Sequence, residues 1–537
     1  MPAQEGCDVM VAIGGVPAGG AAAPPPATAR PPHLRAVVAI EGSTDPYEYE
    51  VMRSGSTGLA MILASWSAGT MLCLNSVPPI AGTPRDNGDE VWAEHLDGLT
   101  PWHFAWRDHP ARDEYWQARE VDPSTVEVPT MVVSGWRDTN VMGALRDFSR
   151  LGCPKRLIVG PWQHGLPDRD GNRPIHTVKE MTAWFDLWMR EEEPAESRAR
   201  PETDLFVLGA DQWESYDEWP ATDLRTFYLD GAKGLVSSPP SEGRAIPVVF
   251  DASVGVRGGF ATSHAPQEQS EDDARSALFD SEPLAEPLEL LGELGVDLNL
   301  AGITPDVDVA VRVLDVDPAG GSSLVSKGFL RLSNLAPDYV GKSVEPPGAT
   351  VRIMCNPVRY HLRAGHRLRL AVAGADFPEM WPAPRPVDYG VIAGGQDSHS
   401  SRLTIPVVTA NPGATPRFEP PDKSLIRPPA GPGHSTLTVS RSDSGRVTVE
   451  ASSGTSLETF DKELVEFSHS SSASTTPYSP EQTQVTTEGT LVIHQHHRTV
   501  AIAATSYTST DIASATVDIS IDGESVFHKR FRHPPGE

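Results

Sequence analysis

The sequence has few cysteines, no long apolar run and a shortage of basic side chains. Its four cysteines are widely spaced among 537 residues and form no C-x-x-C pair, which argues against a disulfide framework and a thiolate zinc site. Because no run of about 18 apolar residues exists, no segment is predicted to span a bilayer. The 44 Lys and Arg residues face 72 Asp and Glu residues, and the formal charge of −28 makes nucleic acid and anionic membranes poor candidate partners.

Residues 1–29 lack the features of a secretory leader. They carry Glu5 and Asp8 but no Lys or Arg, and glycines and prolines interrupt their apolar stretches. The four widely spaced cysteines are also expected to remain reduced, which is typical of proteins that are not secreted. The sequence therefore predicts a cytoplasmic protein. The chain is long enough for about three domains.

Three short apolar runs in the first third of the chain are typical of buried parallel strands: Leu34–Ile40, Thr130–Trp136 and Arg156–Pro161. Apolar side chains at helical spacing follow the second and third runs, over Val141–Arg150 and Val178–Arg190. This alternation of strand and helix predicts an α/β layer. Residues 58–120 instead combine helical patterning with five tryptophans and no strand signal, which predicts an inserted helical cap.

The hydrophobic period changes to two from about residue 201. Within Asp306–Val316, four valines alternate with polar or small residues, and Arg367–Ala373 repeats the alternation, as expected of half-buried antiparallel strands. Residues 201–410 are therefore predicted to form a β-sandwich.

The last quarter of the chain is predicted to form a second, smaller β-domain. A proline-dense linker over residues 411–433 marks its boundary, because proline cannot donate hydrogen bonds to a β-ladder. Residues 434–537 again show strand patterning and contain an Asp522-Gly523 pair that is typical of a hairpin turn.

Two polar residues follow neighbouring strands of the predicted α/β layer. Asp138 ends a Gly-Trp-Arg-Asp sequence after one strand, and His164 ends a Gly-Pro-Trp-Gln-His sequence after the next. The carboxyl ends of parallel strands share one sheet edge, and an acid followed by a histidine matches the chain order of an α/β-hydrolase triad. Asp138 would orient the imidazole, and His164 would act as general base and then acid. From spacing alone, the alternative is that Asp138 caps the next helix and His164 is a polar loop residue.

These motifs resemble those of the cocaine esterase and X-prolyl dipeptidyl-peptidase family of serine hydrolases. That family has a Gly-Trp-Tyr-Asp motif with the catalytic acid and a Gly-Pro-Trp-x-His motif with the catalytic base, and the departure here is Arg137 for the tyrosine. The resemblance covers about residues 31–410 and continues through Trp184–Trp188, Val207–Trp213, Asp217–Pro220 and Ala364–Leu370. It implies an α/β-hydrolase domain over residues 31–200, a jelly-roll-like β-sandwich, Asp138 and His164 as triad acid and base, and neither metal nor organic cofactor.

The nucleophile of that family has no counterpart. Its Gly-x-Ser-Tyr-x-Gly motif is expected where this sequence reads Gly15-Val16-Pro17-Ala18-Gly19-Gly20. Pro17 replaces the serine, and its ring holds φ near −65°, whereas a nucleophile turn is strained into positive φ. The family's first sheet strands, one of which carries an oxyanion-hole tyrosine, are also missing, and three prolines from Pro24 interrupt the next helix. Residues 1–30 are therefore predicted to be an unreliable or disordered segment, and the hydrolase domain is predicted to be incomplete. For the same reason, the backbone N–H of Ala18 is not assigned as an oxyanion donor.

Other candidate sites have simpler explanations. Ser67 follows no strand and lacks the first glycine of a G-x-S-x-G motif, and the resemblance places it in the cap, where Trp66 is implied to line the acyl pocket. Ser134 lies inside a predicted buried strand. The cluster of His494, His496 and His497 is interpreted as part of a solvated strand face and not as a metal site. The acidic run over residues 191–193 is interpreted as the solvated end of a helix.

The sequence thus predicts a serine hydrolase that cleaves a small ester or amide through an acyl-enzyme, but that is inactive as written because its nucleophile is missing. One explanation is that residues 1–30 reflect a wrong start or a shifted reading frame. The alternative is a pseudoenzyme that binds a ligand or a partner without catalysis. Neither the substrate nor the oligomeric state follows from the sequence.

Overall fold

The computed structural model of the chain describes residues 10–52, 64–78, 88–169, 172–190, 201–258, 268–334, 349–395, 400–422, 434–459 and 462–534. Within these ranges, no helix is both long enough and apolar enough to cross a membrane. Three β-sheets organise the chain. The helices are α1 Ala18–Ala22, α2 Pro24–Thr28, α3 Gly88–Asp97, α4 Trp102–Asp108, α5 Glu114–Gln117, α6 Val141–Arg150, α7 Thr177–Met189 and α8 Ser270–Asp273.

The first sheet has six strands that lie side by side in chain order. They are β1 Val11–Gly15, β2 Leu34–Ile40, β3 Thr130–Gly135, β4 Lys155–Gly160, β5 Thr203–Val207 and β6 Gln212–Tyr216. The first five are parallel, and β6 is antiparallel to β5. Helix α6 packs on one face through side chains such as Phe148, and α7 packs on the other through Trp184 and Leu187. Burial on both faces explains the continuous apolar runs of β2, β3 and β4, and it confirms the predicted α/β layer.

The start of the chain differs from the prediction. The structure places a strand at Val11–Gly15, and this strand pairs in parallel with β2 and is followed by α1 and α2. The prediction of disorder over residues 1–30 is therefore wrong for residues 11–28, whereas residues 1–9 lie outside the described ranges. The strand was missed because two of its five residues are glycines and its apolar side chains are only half buried. Pro24 does divide the helical stretch into α1 and α2, as predicted.

The first sheet continues beyond residue 200. Strands β5 and β6 extend the first sheet, although residues from 201 onward had been assigned to the β-sandwich. Leu205 and Phe206 of β5 enter the same core as α6 and β3. Strand patterning within a short segment contains no information about which sheet the strand joins.

The cap is helical, as predicted. Its described part contains α3, α4 and α5, together with a π-helical turn, Trp66–Met71, that continues into Leu72–Leu74. Trp116 of α5 is buried against Tyr47 and Val51, which lie beyond β2. The cap is thereby anchored to the carboxyl edge of the first sheet.

The second sheet has 13 mostly antiparallel strands arranged around one large apolar core. They are β7 Thr222–Leu229, β8 Gly234–Val236, β9 Arg244–Val248, β10 Ala277–Ser281, β11 Leu288–Gly292, β12 Gly295–Ala301, β13 Asp308–Val316, β14 Ser322–Arg331, β15 Ala349–Met354, β16 Val358–Leu362, β17 Arg367–Ala373, β18 Tyr389–Ala393 and β19 Arg402–Val408. Strand β13 was expected to be half buried, but both of its faces are buried. Arg312 on the polar face of this strand is buried, and Asp272 and Asp273 neutralise its charge there at 3.4 and 3.3 Å.

The third sheet is an antiparallel meander of seven strands in chain order. They are β20 His434–Arg441, β21 Val447–Glu458, β22 Leu464–Thr475, β23 Gln484–His494, β24 Thr499–Ser509, β25 Ala513–Ile521 and β26 Glu524–His533. Asp522 and Gly523 form the predicted hairpin turn, with φ of 52° and 85°. Of the predicted linker, residues 423–433 lie outside the described ranges.

One face of this third sheet covers the cap. Ile502 and Val517 pack with Leu72 and Trp92 in a single apolar cluster. The Arg107 guanidinium of α4 donates to the carbonyl oxygens of residues 509 and 510 at 3.1 and 2.7 Å. The additional domain is therefore part of the structure that holds the cap in place.

Candidate active site

Two loops at the carboxyl edge of the first sheet carry the predicted acid and base. Asp138 lies beyond the end of β3, and His164 lies beyond the end of β4. The Arg137 N–H donates to the Trp162 carbonyl oxygen at 3.0 Å, which ties the two loops together. Trp162 is fully buried and donates its indole N–H to the carbonyl oxygen of Arg173 at 3.1 Å. The loop that leads to His164 is thus fixed by hydrogen bonds to Arg137 and to Arg173.

The structure brings Asp138 and His164 into direct contact. His164 Nδ1 lies 2.7 Å from Asp138 Oδ1. The Asp138 side chain is fully buried, whereas that of His164 is 21% exposed. The carboxylate also accepts hydrogen bonds from the Ser134 hydroxyl and from the Asn140 backbone N–H, each at 3.2 Å. Asp138 therefore faces Nδ1 of the imidazole, which leaves Nε2 as the nitrogen available for proton transfer.

A second carboxyl group lies at the same nitrogen. Glu41 directly follows β2, and its Oε2 lies 3.6 Å from His164 Nδ1. The same oxygen accepts the Gly165 N–H at 2.5 Å. Sequence analysis did not select Glu41, although it ends a predicted parallel strand and so reaches the same sheet edge as Asp138 and His164.

Burial and neighbouring charges set the proton affinity of the site. Burial alone lowers the pKa of His164, but the hydrogen bond and charge of Asp138, together with the charge of Glu50, raise it above its ordinary value. Burial raises the pKa of Glu50 to about 7, although the charge of His164 opposes this shift. The histidine is therefore a stronger proton acceptor than a free imidazole, as a general base requires.

Glu41, Asp138 and His164 also form the candidate metal-ligand group among the described residues, because their donor atoms all lie within 4.8 Å of one another. The Nδ1 to Oδ1 distance of 2.7 Å is a hydrogen-bond distance. Two ligands of a tetrahedral ion at about 2.1 Å would lie roughly 3.4 Å apart. The arrangement therefore fits a shared proton better than a metal ion.

Pro17 occupies the turn between β1 and α1. The turn is tight, because a Cβ on Gly15 would lie 2.3 Å from the backbone of Gly19, and one on Gly20 would lie 2.2 Å from the Ile40 carbonyl oxygen. A sharp strand-to-helix connection is therefore present. The strained nucleophile conformation is absent from it, since Pro17 has a right-handed φ of −68° and ψ of −40°. Neither a hydroxyl nor a backbone N–H is available at this residue.

The two other candidate serines, Ser67 and Ser134, are buried. Ser67 is 1% exposed, and its hydroxyl contacts the His103 backbone N–H at 3.0 Å and His103 Nδ1 at 3.2 Å. Both residues lie in the cap, and neighbouring Gly69 lies against the third sheet. Trp66 is half buried and packs edge to face on Trp102, with ring centroids 5.4 Å apart. Ser134 is buried in β3 and serves as a hydrogen-bond donor to the Asp138 carboxylate.

The remaining candidates have structural roles. His494 Nε2 lies 2.9 Å from a carboxylate oxygen of Glu466 on the exposed face of the third sheet. The acidic run at residues 191–193 lies outside the described ranges. The Arg137 guanidinium, which replaces the tyrosine of the resembled motif, donates to the carbonyl oxygens of Leu324 and Val325 at 2.9 and 3.3 Å. This departure therefore ties the loop of Asp138 to the second sheet.

Comparison with known proteins agrees with this architecture. Residues 2–166 match the sequence model of the X-Pro dipeptidyl-peptidase (S15 family), and residues 196–405 match that of the X-Pro dipeptidyl-peptidase C-terminal non-catalytic domain. Cocaine esterase from Rhodococcus sp. is 26% identical over 340 residues, which cover 57% of each chain. The Xaa-Pro dipeptidyl-peptidase of Lacticaseibacillus paracasei is 21% identical over 373 residues, which cover 60% of this chain and 45% of that protein.

A solved structure shares the fold. The crystal structure of an aminopeptidase from a marine sediment Thaumarchaeota archaeon superimposes with a TM-score of 0.60 and 18% identity, and the match covers 75% of this chain and 77% of that one. The chain spans little more than half the length of the first curated relative that it matches.

Proposed function

The chain belongs to the X-Pro dipeptidyl-peptidase and cocaine esterase family of serine hydrolases, and from this membership we propose that its site recognises a small ester or amide substrate. Asp138 orients the imidazole of His164, and His164 Nε2 takes the proton of an attacking hydroxyl and later returns it to the leaving group. The observation that carries the proposal is the 2.7 Å contact between Asp138 Oδ1 and His164 Nδ1 at the carboxyl edge of a parallel sheet.

Pro17 determines what this chain does with such a substrate. A proline supplies no nucleophile for an acyl-enzyme. Acyl transfer by this sequence therefore stops before the first covalent step. Pro17 also favours a second function, in which the cap and the β-domains bind a ligand or a partner without catalysis. Trp66 is proposed to contact the acyl group in either case.

The test is to restore the missing hydroxyl. Turnover of p-nitrophenyl acetate and labelling by a fluorophosphonate are measured for the wild-type chain, Pro17→Ser and the double variant Pro17→Ser/His164→Ala. We expect no labelling of the wild type, labelling of residue 17 in Pro17→Ser, and its loss in the double variant. Removing a triad serine lowers kcat on the order of 10⁶-fold in a serine protease, and this factor is the upper limit for the increase in kcat of Pro17→Ser over the wild-type chain. Trp66→Ala in the Pro17→Ser background should raise KM.

Two outcomes would overturn parts of this proposal. Ester turnover by the wild-type chain that Ser67→Ala abolishes would show that the nucleophile lies in the cap. A folded Pro17→Ser chain that is neither labelled nor active would show that the turn after β1 cannot hold a nucleophile, and the binding function would then be preferred.

A further inference from the structure

We propose that Glu41 is a positioning residue of the Asp138–His164 pair. Its carboxyl group holds the loop that carries His164 and faces Nδ1 of the imidazole, so that the proton of the neutral ring stays on Nδ1 and the lone pair stays on Nε2. This inference deepens the proposed function and rests on it for the catalytic consequence, but the contact itself can be tested without catalysis.

The backbone of Glu41 is held in an uncommon conformation. Its φ is 54°, in the left-handed region that residues with a side chain seldom adopt. The Glu41 N–H donates to the Val133 carbonyl oxygen at 2.9 Å, and the Glu41 carbonyl oxygen accepts from Asn140 Nδ2 at 2.9 Å. Strand β3 and the loop of Asp138 therefore determine where the Glu41 side chain points.

The side chain is directed at the histidine loop. The Glu41 carboxyl group is fully buried, and its Oε2 accepts the Gly165 N–H at 2.5 Å. Gly165 has a φ of 145°, so the chain turns immediately after His164. A hydrogen bond at this turn restrains the last torsions that place the imidazole against Asp138.

The second contact concerns the tautomer of His164. Two acceptor oxygens, Asp138 Oδ1 at 2.7 Å and Glu41 Oε2 at 3.6 Å, face the same ring nitrogen. A proton on Nδ1 is donated to Asp138 Oδ1 and places positive charge near Glu41 Oε2, whereas a proton on Nε2 would leave a lone pair on Nδ1 opposite both oxygens. Glu50 is a third acidic group in the electrostatic environment of His164. The neutral ring is thus held in the tautomer that a general base needs.

The experiment compares two conservative variants in the wild-type chain. Glu41→Asp withdraws the carboxyl group by one methylene, whereas Glu41→Gln keeps an acceptor oxygen at the same reach. Hydrogen exchange of the Gly165 amide and the NMR signal of the His164 Nδ1 proton are the readouts. We expect Gly165 to exchange at least about tenfold faster in Glu41→Asp, which corresponds to about 1.4 kcal/mol, with a broadened Nδ1 proton signal. Glu41→Gln should retain Gly165 protection.

Glu48→Asp is the matched control, since it shortens a carboxyl side chain of the same segment that has no described contact with His164 or Gly165. Wild-type exchange of Gly165 and an unchanged Nδ1 proton signal in Glu41→Asp would overturn the proposal. In the Pro17→Ser background, Glu41→Asp should lower kcat by up to about 100-fold at nearly constant KM, and Glu41→Gln should retain most of the activity. If Pro17→Ser is inactive, the proposed function fails, but the two NMR readouts still decide the role of Glu41.

Discussion

Replacement of Gly135 by alanine should separate the two loops that carry Asp138 and His164. Gly135 ends β3, and a Cβ built on it would lie 2.2 Å from the Trp162 carbonyl oxygen and 2.6 Å from its carbonyl carbon. The first distance is more than about 1 Å shorter than an ordinary van der Waals contact. Because the obstructing atoms are backbone, a side-chain rotation cannot relieve the overlap, and the Trp162 segment has to move away from β3.

The expected cost follows from this overlap. Overpacking of a buried site destabilises a protein by about 1–3 kcal/mol, and a backbone contact belongs at the upper end of that range. Gly152→Ala is the matched control, because a Cβ at Gly152 meets no atom within 4 Å. That substitution should be neutral or stabilising by about 0.4–1 kcal/mol, since it restricts only the unfolded chain.

The assay is urea unfolding followed by tryptophan fluorescence, which reports on Trp162 and its buried neighbours. Gly135→Ala should lower the unfolding midpoint, whereas Gly152→Ala should not. In the Pro17→Ser background, displacement of His164 by about 1 Å should reduce kcat on the order of 100-fold. Equal stability and equal activity of the two alanine variants would refute the packing argument.

Two further substitutions test the cap and the domain that covers it. Ile502→Ala removes a side chain that is 1% exposed between the third sheet and the cap, and should destabilise the protein by about 2–5 kcal/mol in thermal unfolding, whereas Leu457→Ala, at a residue that is 45% exposed, should change little. His103 is buried, and its burial lowers its pKa to about 3, below the ordinary value of 6.5. Between about pH 3 and pH 6.5, the unfolded chain therefore binds a proton at His103 that the folded chain does not bind. The free energy of unfolding is thus highest above about pH 6.5, and it decreases by up to about 5 kcal/mol as the pH falls towards 3. His103→Asn should flatten this pH dependence in urea titrations, and a wild-type profile in that variant would show that another group is responsible.

Local patterns in the sequence were sufficient for strands β2, β3 and β4 and for helices α6 and α7 of the α/β layer. Strands β2, β3 and β4 are short apolar runs because both faces of a parallel sheet are covered, and that requirement is visible residue by residue. The same patterns placed Asp138 and His164 at one sheet edge, since the carboxyl ends of successive parallel strands meet there. The proline at residue 17, where the resemblance predicts a serine, is likewise evident from one position and needs no structure.

Pairing between distant segments could not be obtained in this way. Strand β1 is too short and too rich in glycine to be recognised without β2 beside it. Strands β5 and β6 are assigned to the first sheet only by their hydrogen bonds with β4 and with each other. Strand β13 carries Arg312 into a buried position because Asp272 and Asp273, about 40 residues earlier in the chain, neutralise it there.

The sequence by itself determined strands β2, β3 and β4, helices α6 and α7, the candidate acid and base beyond β3 and β4, and a proline at the position where a serine was expected. Each of these depends on the side chains of one short segment. The tertiary structure alone decided that Glu41 meets His164, that a tight turn surrounds Pro17, and that the third sheet covers the cap. The contact of Glu41 with the histidine loop and that of the cap with the third sheet join residues that are 124 and 402 positions apart in the chain. Such contacts depend on how whole elements pack, and no local periodicity records them.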